Sequence, residues 1–182
     1  MPEPLTTGSP IPDVKELAGV DGKRYSFDDF SDKNIVVVVF SCNHCPYVQA
    51  YEDRMIAFQR DYAGKGVQLV AINSNDERNY PEDSFERMVS RAKKKGFNFP
   101  YLRDDEQRAA DLFGATHTPE FFVFDGSPRR LLRYHGRMDD NHADPSSARQ
   151  KYVEDAVEAI LTGKEVTVPE VHSLGCTIKW KF

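Results

Sequence analysis

The stretch Ser41-Cys42-Asn43-His44-Cys45-Pro46 decides the fold, because it joins two segments of different hydrophobic periodicity. Before it, residues 35–40 (IVVVVF) form an apolar, β-branched run of strand length, which predicts a buried central strand. After it, apolar residues recur at steps of three and four, as on one face of a helix. These are Val48, Tyr51, Met55, Phe58 and Tyr62. Pro46 suits the first helical position, where its missing N–H would have no partner.

The two cysteines of this stretch therefore lie at the N-terminus of the predicted helix. The helix dipole and the free N–H groups of a first turn favour a thiolate there. A thiolate is a nucleophile, and a second cysteine within reach can close a disulfide behind it. A CxxC pair can also be half of a zinc site, but such sites normally have a second ligand pair at regular spacing. Cys176 is the only further cysteine, so the spacing favours redox chemistry.

Length and composition predict one domain over residues 1–182, with an extended lead-in over 1–12 and a C-terminal tail over 164–182. The net charge of −5 is spread along the chain, which argues against nucleic acid or an anionic membrane as a partner. No apolar stretch reaches membrane-spanning length, and the first residues lack the pattern of a signal peptide. Three cysteines do not make a disulfide framework, so we expect a reducing, cytoplasmic compartment.

The order of the remaining elements predicts a mixed α/β sandwich. A hairpin is expected between residues 13 and 30 around the Asp21-Gly22 turn, before the central strand. Downstream, the pattern predicts strands over 67–73 and 101–102, a helix that begins at Pro81, and a helix over 107–113. An antiparallel hairpin over 120–124 and 131–135 follows, and then a helix that begins at Asp144-Pro145 and ends at Gly163.

A hydrophobic strand, a CxxC pair and a helix, in this order of elements, resemble the thioredoxin superfamily. The resemblance implies a thioredoxin-like fold: a central mixed sheet flanked by helices, with an N-terminal β-hairpin extension and a C-terminal tail. It also implies that Thr118-Pro119 is the loop of the family that contains a cis proline and packs beside the CxxC pair. The backbone of Thr118 would then face the disulfide and be able to pair with a substrate chain.

Within that superfamily, the Cys45-Pro46 pair resembles the peroxiredoxin-like branch, which is related to alkyl hydroperoxide reductase and thiol-specific antioxidant proteins. Peroxiredoxins carry Thr-x-x-Cys-Pro at this place, and Cys42 stands where their threonine would be. Two features depart from thioredoxins: Ser41 replaces a tryptophan, and the strand over 35–40 lacks a buried acid. His44 resembles the histidine of strongly oxidising disulfide catalysts, where a positive charge near the thiolate stabilises the reduced form. The alternative is that His44 faces solvent.

Two assignments of the cysteine roles stay open. A thiol–disulfide oxidoreductase would use Cys42 as the exposed attacking thiol and Cys45 as the resolving thiol. A thiol peroxidase would use Cys45 to attack a hydroperoxide, and Cys42 or Cys176 would resolve the sulfenic acid. Exchange ranks slightly higher, because both cysteines of the pair are present. Either reaction needs thiol or disulfide substrates, small or protein, and a reducing partner such as a thioredoxin-like donor; no cofactor is expected.

Four further points complete the candidate site. A peroxidatic site needs an arginine, for which Arg137 and Arg133 are candidates. We expect the tail to fold back so that Cys176 can reach Cys42 or Cys45; the alternative is an inert free cysteine.

A copper- or zinc-binding protein is the alternative from another class, and its ligands would come from Cys42, Cys45, His44, His117 and His172. His135 and His142 are expected in surface positions or loops.

Overall fold

The computed structural model describes residues 3–126 and 129–181. The strands are β1 (Leu17–Gly19), β2 (Arg24–Tyr25), β3 (Ile35–Phe40), β4 (Val67–Asn73), β5 (Tyr101–Arg103), β6 (His117–Thr118), β7 (Glu120–Phe124), β8 (Leu132–Gly136), β9 (Glu170–Val171) and β10 (Cys176–Thr177). The α-helices are α1 (Pro46–Tyr62), α2 (Phe85–Lys95), α3 (Arg108–Phe113) and α4 (Tyr152–Leu161). Eight strands form one sheet in the order β2-β1-β5-β4-β3-β7-β8-β9, and β10 pairs with β6 in a second, two-stranded sheet.

Strand β3 lies at the centre of the larger sheet, as its sequence predicts. It pairs in parallel with β4 and antiparallel with β7, and all six of its residues are buried. Alternate residues enter two different cores. One core contains apolar residues of α1, α2 and α4, and the other contains residues of α3 and of the N-terminal segment. Helices therefore cover both faces, and the sheet holds the end of β3 rigidly below the CxxC pair.

The N-terminal hairpin forms, but its first strand begins at Leu17 rather than near Val14. Glu16 has a φ of +56°, a left-handed conformation that does not continue a strand. The lead-in from residue 3 onwards packs on the fold through its backbone: Leu5 bonds to Phe113, and Gly8 bonds to Leu132. Met1 and Pro2, which the predicted lead-in includes, lie outside the described residues.

Two predicted helix starts are wrong, because in each case a short 3₁₀ turn precedes the α-helix. Residues 81–83 form a 3₁₀ turn, and α2 begins only after Ser84, whose hydroxyl accepts a hydrogen bond from the Arg87 N–H. Near residue 144, the Asp144 carboxylate accepts bonds from the N–H and hydroxyl of Ser146. Such bonds compete with helix propagation, so a 3₁₀ turn forms over Pro145–Ser147 and α4 begins at Tyr152.

The C-terminal tail contains two short strands that the sequence pattern does not predict. Strand β9 joins the edge of the larger sheet beside β8, and β10 pairs antiparallel with β6. The tail therefore runs back across the end of the sheet where the CxxC pair lies. Among the described residues, no helix is long and apolar enough to cross a membrane.

Candidate active site

The CxxC pair lies where β3 ends and α1 begins. Cys42 follows β3 after one residue, and Cys45 is the N-cap residue of α1, with Pro46 at the first helical position. Both cysteines are buried, with 1% of Cys42 and 0% of Cys45 exposed. Cys42 is therefore not the exposed thiol that the thioredoxin-like assignment expects. On the tail, Cys176 packs against the buried cluster of Cys42, Cys45 and Val48.

The cis-proline loop and the tail close around the two sulfurs. The Thr118–Pro119 peptide bond is cis, as expected. Thr118 lies against both cysteines: its hydroxyl oxygen is 3.6 Å from the Cys42 Sγ, and its carbonyl oxygen is 3.5 Å from the Cys45 Sγ. On the tail, the Cys176 Sγ lies 2.7 Å from the Cys45 Sγ. All three cysteines are free thiols in this structure, and Cys45 lies between the other two.

The surroundings of Cys45 favour its thiolate. A hydrogen bond with Cys42 is the largest of several contributions that lower the pKa of Cys45 to about 4. Burial opposes the shift, but Cys176 and the backbone N–H of Val48, in the first turn of α1, add to it. Because a thiolate attacks and a thiol does not, Cys45 is the sulfur best prepared to act as a nucleophile.

The other two cysteines are held as thiols. The hydrogen bond to Cys45, burial, and the nearby Asp83 carboxylate raise the pKa of Cys42 well above its usual value. Burial and the neighbouring Cys45 raise the pKa of Cys176 to about 11, although Lys179 opposes this shift. When an oxidant removes two electrons, the Cys45 thiolate can therefore form a disulfide with either of its two protonated neighbours.

Asp83 is a buried acid that the sequence did not mark as a candidate site residue. It is 0% exposed, and its carboxylate accepts hydrogen bonds from the Asn43 N–H at 2.7 Å and the Asn75 side chain at 2.9 Å. The strand before the motif lacks the buried acid of thioredoxins, and in this structure a buried acid comes from the 3₁₀ turn over residues 81–83 instead. A buried polar network of Asn73, Tyr101 and Arg103 continues below it.

His44 contacts Asp83 rather than the Cys45 thiolate. Its Nδ1 lies 2.6 Å from the Asp83 Oδ2, and its ring stacks on Tyr80. The side chain is 30% exposed, so it neither points fully to solvent nor packs over Cys45. A charge on His44 would be balanced by Asp83, which weakens the expected likeness to strongly oxidising catalysts.

Glu120 fixes the cis-proline loop from the other side. One carboxylate oxygen accepts hydrogen bonds from the backbone N–H groups of Thr116 and His117, both at 2.9 Å, and the other lies 2.5 Å from the His135 Nε2. Burial alone would raise the pKa of Glu120, but these bonds outweigh it and hold that pKa below its usual value. His135, expected at the surface, therefore packs against a buried carboxylate.

Comparison with known proteins agrees with this geometry. The family described as Redoxin matches residues 6–151. The chain belongs to the Redoxin family. Members of this family are thioredoxin-like and peroxiredoxin-like redox proteins, and oxidoreductase activity on thiols or disulfides follows in general terms.

Solved structures resemble this redoxin over almost its whole length. A hypothetical protein from Sinorhizobium meliloti 1021 is 38% identical, with a TM-score of 0.88 over 97% of this chain and 96% of that one. An uncharacterized conserved protein from Geobacillus kaustophilus is 36% identical, with a TM-score of 0.89 over 97% of this chain and 93% of that one.

A more distant structure confirms the fold. A protein from Chlorobium tepidum that is described as a putative thiol:disulfide interchange protein DsbE is 21% identical, with a TM-score of 0.67 over 86% of this chain and 99% of that one. The redoxin therefore has the predicted thioredoxin-like fold. No curated protein matches the sequence.

Neither arginine candidate contacts the sulfurs of the redoxin. Arg133 forms an ion pair with Asp125 at 2.7 Å, at the end of β7 opposite to Thr118. The Arg137 side chain has a buried Nε that makes no hydrogen bond among the described residues; the bond from the Tyr134 hydroxyl goes to the Arg137 backbone carbonyl. Within residues 3–126 and 129–181, no hydrogen bond joins an arginine side chain to a cysteine sulfur.

The possible metal ligands are divided between two places in the redoxin. Cys42, His44 and Asp83 have ligand atoms within 4.8 Å of one another, and this is the one such group among the residues that the structure describes. His117 and His172 instead face each other with ring centroids 6.1 Å apart, in a separate cavity that Glu120 and His135 also line. The five predicted ligands therefore do not converge.

Proposed function

We propose that this redoxin is a thiol–disulfide oxidoreductase in which Cys45 is the attacking thiolate. The lowered pKa of Cys45, between two protonated thiols, is the observation that supports the proposal most directly. The roles of the CxxC pair are thus the reverse of those expected from thioredoxins: Cys45 attacks and Cys42 resolves. We also place the protein in a reducing cytoplasm, on the basis of its few cysteines.

The reaction on a disulfide substrate takes two steps. The Cys45 thiolate attacks one sulfur, the S–S bond of the substrate breaks, and the departing substrate thiolate takes up a proton. Cys42 then loses its proton and attacks the Cys45 sulfur, which closes a Cys42–Cys45 disulfide and releases the second substrate thiolate. The substrate gains two electrons and the enzyme loses two; an external dithiol donor of the thioredoxin type restores the reduced enzyme. The same steps in reverse oxidise a dithiol.

Asp83 suits the resolving step. Its carboxylate lies near the Cys42 sulfur and its charge disfavours a Cys42 thiolate in the resting enzyme. A carboxylate in that position can accept the proton of Cys42 when the thiol attacks, and His44 lies on the same carboxylate. Thr118 completes the site, since its backbone and hydroxyl face both sulfurs.

A thiol peroxidase is the second candidate, and the same thiolate favours it. Cys45 occupies the peroxidatic position before Pro46, and a low pKa is what attack on a hydroperoxide requires. It ranks second because a peroxidatic site also needs a cation that holds the peroxide. Arg133 pairs with Asp125, and no hydrogen bond joins the Arg137 side chain to a cysteine sulfur among the described residues.

The two candidates differ in the oxidant that reacts fast. Fully reduced, metal-free protein would be mixed with one equivalent of hydrogen peroxide or of a small aromatic disulfide, and thiol loss followed by stopped flow and mass spectrometry. Our proposal expects oxidation by the disulfide within seconds and by peroxide over many minutes. Fast reaction with peroxide through a sulfenic acid on Cys45, with slow reaction with the disulfide, would replace the oxidoreductase by the peroxidase. Cys45→Ser should abolish whichever reaction is fast.

A further inference from the structure

The exposed edge of the cis-proline loop is occupied by the protein's own tail. Strand β10 pairs antiparallel with β6, with Cys176 opposite Thr118 and Thr177 opposite His117. The Ile178 N–H continues the pairing through a 2.9 Å bond to the Thr116 carbonyl. The tail therefore lies as an extended strand along the loop, with its cysteine sulfur directed at Cys45. An extended disulfide substrate bound to this edge would present its sulfur in the same way.

Gly175 lets the tail approach the loop more closely than another residue could. A Cβ atom at this position would lie 2.0 Å from the Thr118 carbonyl oxygen and 2.7 Å from its carbon. Real contacts of that kind do not occur, so any larger side chain forces the two strands apart. The clash would be with backbone atoms of Thr118, and a backbone cannot relieve a clash by changing rotamer as a side chain can.

The part of the tail beyond Cys176 is anchored to the core. Ile178 is 4% exposed. Trp180 packs against the core that contains residues of α3 and of the N-terminal segment. The Lys179 carbonyl accepts hydrogen bonds from the Asp76 N–H at 2.8 Å and the Gln107 side chain at 3.0 Å. These bonds lie outside the strand pairing, so they hold the tail in place independently of Cys176.

With the tail in this position, Cys42 and Cys45 are both buried, and a polypeptide cannot bring its disulfide to the Cys45 sulfur. We infer that residues 175–178 occupy the edge of β6 along which an extended polypeptide would pair, and that the tail is an internal competitor that must leave before a polypeptide disulfide binds. The inference rests on the proposed function, and it adds how access to the site is controlled: a docked tail holds back polypeptide disulfides far more than small ones.

Substitution of Gly175 tests this inference without removal of any sulfur. Gly175→Ala should push the tail off β6, whereas Cys176→Ser keeps the strand in place and serves as the matched control. The substrates would be a small aromatic disulfide and an unstructured peptide dimer joined by one disulfide. If the tail is open about one-tenth of the time, full release raises the rate with the peptide dimer by about tenfold. The rate with the small disulfide should change much less.

Trp180 provides a second measurement on the unmodified protein, because it is the only tryptophan. A synthetic peptide of residues 173–181 that carries Cys176→Ser and Trp180→Phe has no thiol and no tryptophan. Added to the wild-type protein, it should displace the tail and shift the Trp180 emission to longer wavelength. The shift should saturate, and it should occur at lower peptide concentration in Gly175→Ala.

The outcomes separate the two proposals. If the small disulfide reacts rapidly through Cys45 but Gly175→Ala does not accelerate the peptide dimer and the peptide leaves the Trp180 emission unchanged, the competition by the tail is refuted and the oxidoreductase stands. If neither disulfide reacts with wild type or variant, the proposed function itself fails. A shift of Trp180 emission with the peptide supports the competition even if Gly175→Ala does not fold.

Discussion

The sulfur of Cys176 lies 2.7 Å from the sulfur of Cys45, although 131 positions separate the two residues in the sequence. Cys42, only three residues from Cys45, is a second partner of the same thiolate. Cys45 therefore has two thiols within reach. The reaction at the site depends on which of them forms a disulfide with Cys45.

Limited oxidation of the reduced protein should give Cys45–Cys176 and Cys42–Cys45 disulfides and no Cys42–Cys176 disulfide. Cys45 forms hydrogen bonds with both partners, whereas no hydrogen bond joins Cys42 to Cys176 among the described residues. Non-reducing peptide mapping after addition of less than one equivalent of a diazene oxidant measures the three species. Cys45→Ser should remove every fast intramolecular disulfide, while Cys42→Ser should leave Cys45–Cys176. A dominant Cys42–Cys176 species would show that the tail lies elsewhere in solution.

The Cys45 thiolate should appear at low pH. Carbon-13 labelling at the cysteine Cβ, followed by NMR titration, resolves the three residues without the need for reagent access. We expect the Cys45 signal to titrate at about pH 4, and the Cys42 signal to stay that of a thiol beyond pH 9. Cys42→Ala, which removes the hydrogen-bond partner, should raise the Cys45 value, whereas Cys42→Ser should raise it less. Equal titration of Cys42 and Cys45 near their ordinary values would contradict the assignment.

The same pKa makes the stability of the reduced protein depend on pH. The folded-state pKa of Cys45 lies below that of an unfolded cysteine, about 8.5, so the thiolate stabilises the folded state. This contribution is fully present above the unfolded value and is lost as the pH falls towards about 4,. Denaturant unfolding of reduced wild type and Cys45→Ser at several pH values should therefore show a difference that grows from pH 4 to pH 8. A constant difference would mean that Cys45 is an ordinary thiol.

Asp83→Asn should lower the pKa of Cys42, because it removes the negative charge that disfavours the Cys42 thiolate. The same NMR titration measures the shift in a Cys45→Ala background, where the bond to Cys45 no longer contributes. Glu82→Gln is the matched control, since its exposed carboxylate lies 4.0 Å from His44 and its removal changes the net charge equally. An equal shift in both variants would show a general effect of charge rather than a specific role of Asp83.

Glu120→Gln should loosen the cis-proline loop. The buried carboxylate accepts two backbone N–H groups and contacts His135, and the loss of such a charged acceptor costs about 1–3 kcal/mol. Its lowered pKa means that this stabilisation is present above the unfolded value, about 4.3, and is lost as the pH falls through the folded one.

Denaturant unfolding at pH 7 and pH 3 measures the effect of Glu120, which should shrink at the lower pH. Glu170→Gln is the control, because Glu170 contacts the same histidine but its side chain is 66% exposed. If Glu170→Gln destabilises the protein as much as Glu120→Gln does, the loop does not depend on Glu120.

Local sequence patterns were sufficient for the central part of the fold. The run over 35–40 is apolar at every position, and β3 has the predicted bounds; β4 likewise matches residues 67–73. In these segments the hydrophobic pattern and the strand propensity predict the same structure, and the tertiary packing is consistent with both. The predicted helix starts near Pro81 and Asp144 were wrong because bonds that the Ser84 and Asp144 side chains accept from nearby backbone N–H groups set the local structure, which a periodicity argument does not detect.

The candidate site was less predictable, because its decisive features are long-range. The sequence pointed to Cys42, Cys45, Thr118 and Cys176, and the structure brings these four together. It did not point to Asp83 or Glu120, whose importance comes from burial and from partners on other elements. The local sequence does not indicate which charged residue becomes fully buried in the fold. The burial of Cys42 likewise depends on the tail and on the cis-proline loop.

The measurement that tests the central claim most directly compares two variants that each retain one cysteine of the CxxC pair. Cys42→Ser/Cys176→Ser keeps Cys45 with a hydroxyl donor at position 42, and Cys45→Ser/Cys176→Ser keeps Cys42. Each would react with a small aromatic disulfide at pH 6, and mass spectrometry would locate the mixed disulfide. Because thiolate fraction governs attack, we expect the protein with Cys45 to react more than about a hundredfold faster. Faster reaction of the protein with Cys42 would show that Cys42 attacks and would contradict the account.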